Sequence, residues 1–393
     1  MKYKKPLLII LSALMVGAAL AMLPPIRERL EWRYDALRVR LHYMINPPEE
    51  QAFIPNTPIP AEEEPNAAHT ASEPTIAVIN TPQPTAAPTL TPTLLPASAF
   101  LDVNYEDQHG LMNYCGPSNF SMLLNYWGWE GSREVVGAYV KPEDRDKNVS
   151  PSDFTAYIEN ETDLKRAVRY GGNPEMIKRL LANGFPVLIE KGVYFYEIMT
   201  GRIGWMGHYN IASGYDDAAD EFIVHDSFLE DGENRRFTTD ELVDEWRPFN
   251  YIFLVLYPPE QEAKLMAVLG EYADPQSASL IAMETAQQEM ENLTEFERYF
   301  AIFNLGTSLV SLESYAEAAA VYDESFTYYS TLPEEGRPWR MLWYQEGPYI
   351  AYFNVGRYED VVDLATQTLN TSSDPFLEES IYWRFKAEYE LDK

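Results

Sequence analysis

The sequence predicts an α+β domain followed by an all-α region of helical repeats, set behind an N-terminal membrane segment and a disordered Pro/Thr-rich linker. Three observations predict it. A tract dense in Pro and Thr over residues 46–98 divides the chain. From 99 to 259, short apolar strand-like runs alternate with capped helical stretches. Beyond Pro258-Pro259 the chain becomes Ala-, Glu- and Tyr-rich with helical character to its end.

At the N-terminus, Lys2, Lys4 and Lys5 precede an apolar run of 17 residues from Leu7 to Leu23. That length is at the short limit for crossing a bilayer and long for a signal-peptide core. Residues 1–24 therefore read as a signal-anchor, with a secreted form cleaved near Ala21 as the alternative. Residues 25–45, with Arg27, Arg29, Arg33, Arg38 and Arg40, read as an amphipathic juxtamembrane helix. The linker at 46–98 has too few clustered apolar residues for a core and reads as an extended tether. A stalk after an anchor places the remainder outside the membrane.

Within 99–259, Asn173-Pro174-Glu175 opens a helix with a cap, a first-turn Pro and an early acid, and Gly184 ends it. Phe185–Glu190 is then a buried strand. Tyr251–Tyr257 is another continuous apolar strand and closes the domain. Trp205 and Tyr209 flank His208 and are candidate walls of a cleft, or plain core.

The chain has one cysteine, in Asn113-Tyr114-Cys115-Gly116-Pro117-Ser118-Asn119-Phe120. An apolar helical run follows, which places the thiol at a helix start, where unpaired N–H groups and the helix dipole favour a thiolate. The bland alternative is a small buried hydrophobe. Of five histidines, His42 and His69 lie outside any packed domain by sequence, leaving His109, His208 and His225. His208 is best placed, on a strand that runs into the acidic turn Asp216-Asp217-Ala218-Ala219-Asp220. A second strand, Glu221–Asp226, follows. A hairpin centred near Asp217 or Ala218 sets His208 opposite or beside Asp226. Thiol, imidazole and an orienting carboxylate are the parts of a nucleophilic hydrolase.

Gln108…Cys115-Gly116-Pro117, Gly207-His208-Tyr209…Gly214-Tyr215-Asp216 and His225-Asp226-Ser227, taken in order, resemble papain-like domains related to bacteriocin-leader-processing cysteine peptidases. Asn183-Gly184-Phe185-Pro186-Val187 and Phe249-Asn250-Tyr251-Ile252 add to the likeness, which covers about 99–258. The resemblance implies a papain-like fold with Cys115 as nucleophile, His208 as general base and acid, and Asp226 as orienter. It also implies that Gln108, with the Cys115 N–H, donates to the oxyanion. No transporter accompanies the domain, so a leader-peptide substrate does not carry over.

Residues 260–393 hold 25 acids and 8 bases, a large share of the chain's net charge of −31. There Phe303-Asn304-Leu305-Gly306, Tyr315-Ala316-Glu317-Ala318, Tyr322 and Pro333 fall at offsets resembling a tetratricopeptide repeat. A weaker copy spans Ala351-Tyr352-Phe353 to Leu369, and Phe376–Glu390 reads as a capping helix. Such repeats bind a protein partner or cap the neighbouring domain. The acidic charge and lack of a basic patch exclude nucleic acid, and no glycine-rich phosphate loop occurs. No Cys-x-x-Cys or His-Glu-x-x-His spacing points to a metal, and no cofactor is implied.

The sequence thus predicts a membrane-anchored, extracytoplasmic cysteine hydrolase acting on a peptide or protein substrate. The alternatives are a catalytically silent peptide-binding or scaffolding protein on the same fold, and an amidase or acyl transferase acting on cell-wall peptides.

Overall fold

The computed structural model describes residues 24–56, 95–143, 145–197 and 201–393. Residues 1–23 of the predicted membrane segment (1–24) and linker residues 57–94 lie outside them. Among the described residues no helix is long and apolar enough to cross a membrane.

Helix α1 (Pro24–Ile45) is followed by an irregular stretch and, after the undescribed part of the linker, by strand β1 (Ser98–Phe100). Three helices follow: α2 (Cys115–Tyr126), α3 (Arg133–Val140) and α4 (Pro151–Glu161). Then come β2 (Lys165–Arg169), α5 (Pro174–Ala182), β3 (Val187–Glu197), β4 (Arg202–Asp216), β5 (Glu221–His225), β6 (Arg235–Thr238), α6 (Thr239–Trp246) and β7 (Phe253–Tyr257). The strands form one sheet in the order β2-β7-β3-β4-β5-β6, with β1 on β4 and every pairing antiparallel.

The continuous apolar runs predicted as strands have a physical cause: the sheet is covered on both faces. Leu188 of β3 and Leu254 and Leu256 of β7 meet Phe120, Met122, Leu123 and Leu124 of α2. Their neighbours Val187, Ile189, Phe253 and Val255 meet Ile177 and Leu180 of α5 and Trp246 of α6 on the other side. Helix α5 begins where Asn173 accepts a hydrogen bond from the Met176 N–H at 2.8 Å.

After β7 the chain is helical: α7 (Glu262–Leu269), α8 (Pro275–Asn292), α9 (Glu295–Ser311), α10 (Tyr315–Thr331), α11 (Met341–Tyr344), α12 (Gly347–Asn354), α13 (Tyr358–Asn370) and α14 (Glu378–Leu391). This region shares a core with the sheet. Trp205 of β4 is fully buried, stacked on Phe249 and on Phe300 of α9, with Tyr344 of α11 at its edge. Polar contacts cross the same boundary. Asn250 donates to Ser308 Oγ at 2.9 Å, Asn304 to the Arg247 carbonyl at 2.8 Å, and Arg340 to the Trp205 carbonyl at 2.9 Å. Trp205 is therefore core between the two regions rather than a cleft wall.

The structure corrects the linker boundaries. Residues 46–56, read as tether, pack on the C-terminal helices instead. Phe53 is buried against Phe326 and Tyr352, and the Asn56 N–H donates to Asp360 Oδ1 at 2.6 Å. One buried aromatic among proline-rich neighbours is enough to hold this stretch, which compositional counting averages away. At the other end the Tyr215 hydroxyl donates to the Pro96 carbonyl at 2.6 Å, so the sheet begins within the predicted linker. Helix α1 docks through Tyr43 on Trp339 and through Arg38, which donates to the Ser373 carbonyl at 3.2 Å.

Candidate active site

Cys115 is the first residue of α2, whose first-turn N–H groups have no partner within the helix. The approach to it is set by Asn113, which adopts φ 55°, a left-handed conformation that Asn tolerates well. Gly116 allows the helix end to sit close under its neighbours. A Cβ there would lie 3.2 Å from both Phe154 and Val149. Pro117, in the first turn, lacks only an N–H that the helix leaves unpaired.

The β4–β5 hairpin brings in the imidazole and carboxylate. Its turn centres just beyond Ala218, between Ala218 and Ala219, and a bulge at Ser213 shifts the register back so that Ile211 pairs with His225. His208 Nε2 donates to Asp226 Oδ1 at 2.8 Å, and both side chains are buried. Cys115 lines the same cleft as this ring and is one of the groups that raise the imidazole. With Nε2 engaged by Asp226, Nδ1 is the nitrogen left for the sulfur. The residues predicted from sequence as thiol, imidazole and carboxylate are thus brought together.

Electrostatics keep His208 and Asp226 charged. Burial by itself pushes the His208 imidazole down, but the Asp226 charge and hydrogen bond, with the Cys115 contact, raise it to about 9. Burial pushes Asp226 the other way, yet His208, Lys191 and a hydrogen bond from Asn210 hold it far below the usual carboxylate range. Lys191 is buried, 3.9 Å from Asp226 and 2.6 Å from Glu245. Asp226 also accepts from the Phe228 N–H at 3.0 Å, and its own N–H donates to the Gly232 carbonyl at 2.9 Å. Only glycine fits at 232, since a Cβ would sit 1.8 Å from the Asp226 carbonyl oxygen.

Gln108 is buried at the edge of the same cleft. Its Oε1 accepts from Ser227 Oγ at 2.9 Å, which leaves Nε2 as the donor end of the amide. Ser227 is in turn 3.0 Å from Asn119 Nδ2, which also reaches the carbonyls of Cys115 and Tyr209 at 2.9 Å each. One buried amide therefore ties the nucleophile's helix, the strand of His208 and the support of Gln108. Sequence reasoning passed over Asn119 and Ser227 as positioning residues. A polar residue one turn after Cys115 in an otherwise apolar helix face was the available signal.

The other histidines have different duties. His225 is buried with both ring nitrogens used, one to the Val103 carbonyl at 2.9 Å and one to the Asn234 N–H at 3.1 Å. His109 is exposed and contacts the Phe228 carbonyl at 3.1 Å. Among the described residues no His, Cys, Asp and Glu group has metal-site geometry.

Cys115, His208 and Gln108 open into a cleft of about 410 Å³. Tyr209 and Phe228 form part of its wall, and so does Tyr344, contributed by the helical region.

Residues 100–252 match the Peptidase_C39 like family. The match supports a cysteine-peptidase reading for that region. Among solved structures, a Bacillus anthracis protein described as a "putative C39-like peptidase" aligns with 13% sequence identity and a TM-score of 0.32, covering 41% of this chain and 97% of its own. No curated protein matches.

Proposed function

We propose that the chain is a cysteine peptidase with Cys115 as nucleophile, His208 as base and acid, Asp226 as orienting carboxylate, and Gln108 as oxyanion donor. The observation that carries this reading is the buried Asp226–His208 hydrogen bond with Cys115, at a helix start, lining the same cleft as that ring. An imidazolium retained at neutral pH beside the sulfur supports a thiolate–imidazolium pair.

In the proposed reaction the Cys115 thiolate attacks the substrate carbonyl carbon and forms a C–S bond. Charge on the carbonyl oxygen meets the Cys115 N–H and Gln108 Nε2. His208 gives its proton to the leaving amine as the C–N bond breaks, leaving a thioester. Water then loses a proton to His208 and attacks the thioester, the C–S bond breaks, and release of the acid restores the thiolate–imidazolium pair. Asp226 holds the ring's tautomer and orientation throughout.

The wider setting belongs to the same proposal. The apolar segment before α1 anchors the chain, and the linker holds the enzyme outside the membrane. The helices after 259 are read as tetratricopeptide-like repeats that present a partner or substrate. The α9–α10 hairpin supports this through Gly306, where a Cβ would lie 2.6 Å from the Tyr322 ring, so a small residue admits a large one. Labelling by a thiol-directed acyl probe tests the core of the reading: the wild-type chain is labelled and Cys115→Ala is not. Equal labelling of both chains refutes the assignment.

A further inference from the structure

The cleft beside Cys115 does not end at the catalytic group. A second cavity of about 190 Å³ lies between the sheet and the helical region, and Glu190 and Tyr344 line both spaces. Glu190 is on β3 and is 4% exposed, a buried carboxyl facing the cleft. Glu379, at the start of α14, lines the inner cavity. Its Oε1 accepts from Asn148 at 3.1 Å, but its Oε2 is buried with no hydrogen-bond partner. Among the described residues no basic side chain forms an ion pair with either carboxyl. Glu346, the third acid of the cavity, is occupied by Trp383, whose Nε1 donates to it at 2.6 Å.

We propose that Glu190 and Glu379 form a recognition site for a cationic group of the substrate, a lysine-like side chain or a free α-ammonium, entering from the Cys115 cleft. The proposal rests on the peptidase reading for the kind of ligand, and its geometry rests on the cavity and the unpartnered carboxylate oxygen. A buried acceptor without a donor is costly, and an ammonium entering from the cleft supplies up to three.

The electrostatics agree. Burial, then Cys115 and Glu379, hold the Glu190 carboxyl well above its usual range, with only the Tyr209 hydrogen bond opposing. Burial, with Asp146, Glu346 and Asp153 around it, raises Glu379 to about 8. Of the bases lining the cleft, Lys147 faces Asp374 and Asp146, and His208 is paired with Asp226. An incoming cation is therefore the missing countercharge, and binding it lets these carboxyls ionise. The site is made from both regions, since β3 contributes one acid and α14 the other.

The test measures binding to the full chain carrying Cys115→Ala, so it does not depend on turnover. The probes are N-acetyl-lysine methylamide, norleucine methylamide with a free α-amine, and N-acetyl-norleucine methylamide, which has no cation. We expect one or both ammonium probes to bind at least about tenfold more tightly than the neutral probe. Whichever ammonium is preferred identifies the source of the charge. Adding Glu190→Gln removes the preference, and Glu379→Gln reduces it. Equal affinity for all three probes overturns the proposal, as does a preference that survives both substitutions. If Glu190→Gln does not fold, as judged by its thermal melt, the Glu379→Gln result decides alone. Failure of the acyl-probe labelling with a retained ammonium preference refutes the catalytic reading and leaves this site standing.

Discussion

Tyr344, from the helical region, packs directly over Gly207, the residue before His208. A Cβ at position 207 would lie 2.8 Å from Tyr344 Cγ and 2.9 Å from Phe249 Cζ. The strand that carries the imidazole is thus held from outside the α+β domain. Gly207→Ala should cost about 1–3 kcal/mol through overpacking and lower kcat/KM more than an exposed substitution does. Adding Tyr344→Ala should recover part of the melting temperature, because one of the two clashes is relieved. A double variant no more stable than Gly207→Ala alone would show that this contact does not set the strand's position.

The catalytic assignment makes an ordered prediction. Cys115→Ala and His208→Ala should abolish turnover, while Asp226→Asn should leave a weak residual rate, since orientation is lost but nucleophile and base remain. Steady-state kinetics on a peptide substrate provides the measurement. Turnover by Cys115→Ala at the wild-type rate refutes the whole set.

Gln108→Ala should lower kcat by about 10²-fold with little change in KM, as expected for one oxyanion donor. Ser227→Ala should have a smaller effect in the same direction, because Ser227 donates to Gln108 Oε1 and so fixes which end of the amide faces the cleft. A Gln108→Ala effect confined to KM would place this residue in substrate binding instead.

The charge pair has a defined pH signature. His208 binds its proton more tightly folded than unfolded, so its contribution to stability is full below the ordinary imidazole value and fades as pH rises through about 9. Asp226 is held low, so its contribution is present above the ordinary carboxyl value and is lost as pH falls through its depressed value. In Asp226→Asn the largest raising influence is gone and only the Cys115 contact opposes burial, so His208 should titrate well below 9. NMR titration of the His208 ring protons checks this. A ring in Asp226→Asn that still titrates near pH 9 would show that Asp226 is not the source of the shift.

Because Trp205 is buried against Phe300 and Tyr344, the two regions should behave as one cooperative unit. Trp205→Ala should cost about 3–5 kcal/mol. Limited proteolysis should leave a resistant fragment containing both regions, with no early cut near residue 260. Release of a stable fragment ending near 260 would show independent folding.

The sequence alone was enough for local structure and for the identity of the reactive set. The Asn173 cap, the first-turn Pro174 and the apolar runs of β3 and β7 announce themselves because they depend on neighbours in the chain. Cys115, His208 and Asp226 were legible for a related reason. One cysteine and few histidines leave little choice, and a short hairpin brings His208 and Asp226 together as near neighbours, two residues off direct register, across adjacent strands.

Tertiary structure decided what chain-local rules do not reach. Asn119 looks like one of several polar residues in a largely apolar helix, and only the fold sets it among Cys115, Tyr209 and Ser227. Phe53 reads as part of a proline-rich tether until Phe326 and Tyr352, some 270 residues away or more, enclose it. The same holds for Glu190 and Glu379, far apart in the chain, which line one space. Periodicity and capping are set by contacts within a few residues. Burial of a polar or aromatic side chain is set by whichever distant surface folds over it, and no window of sequence contains that surface.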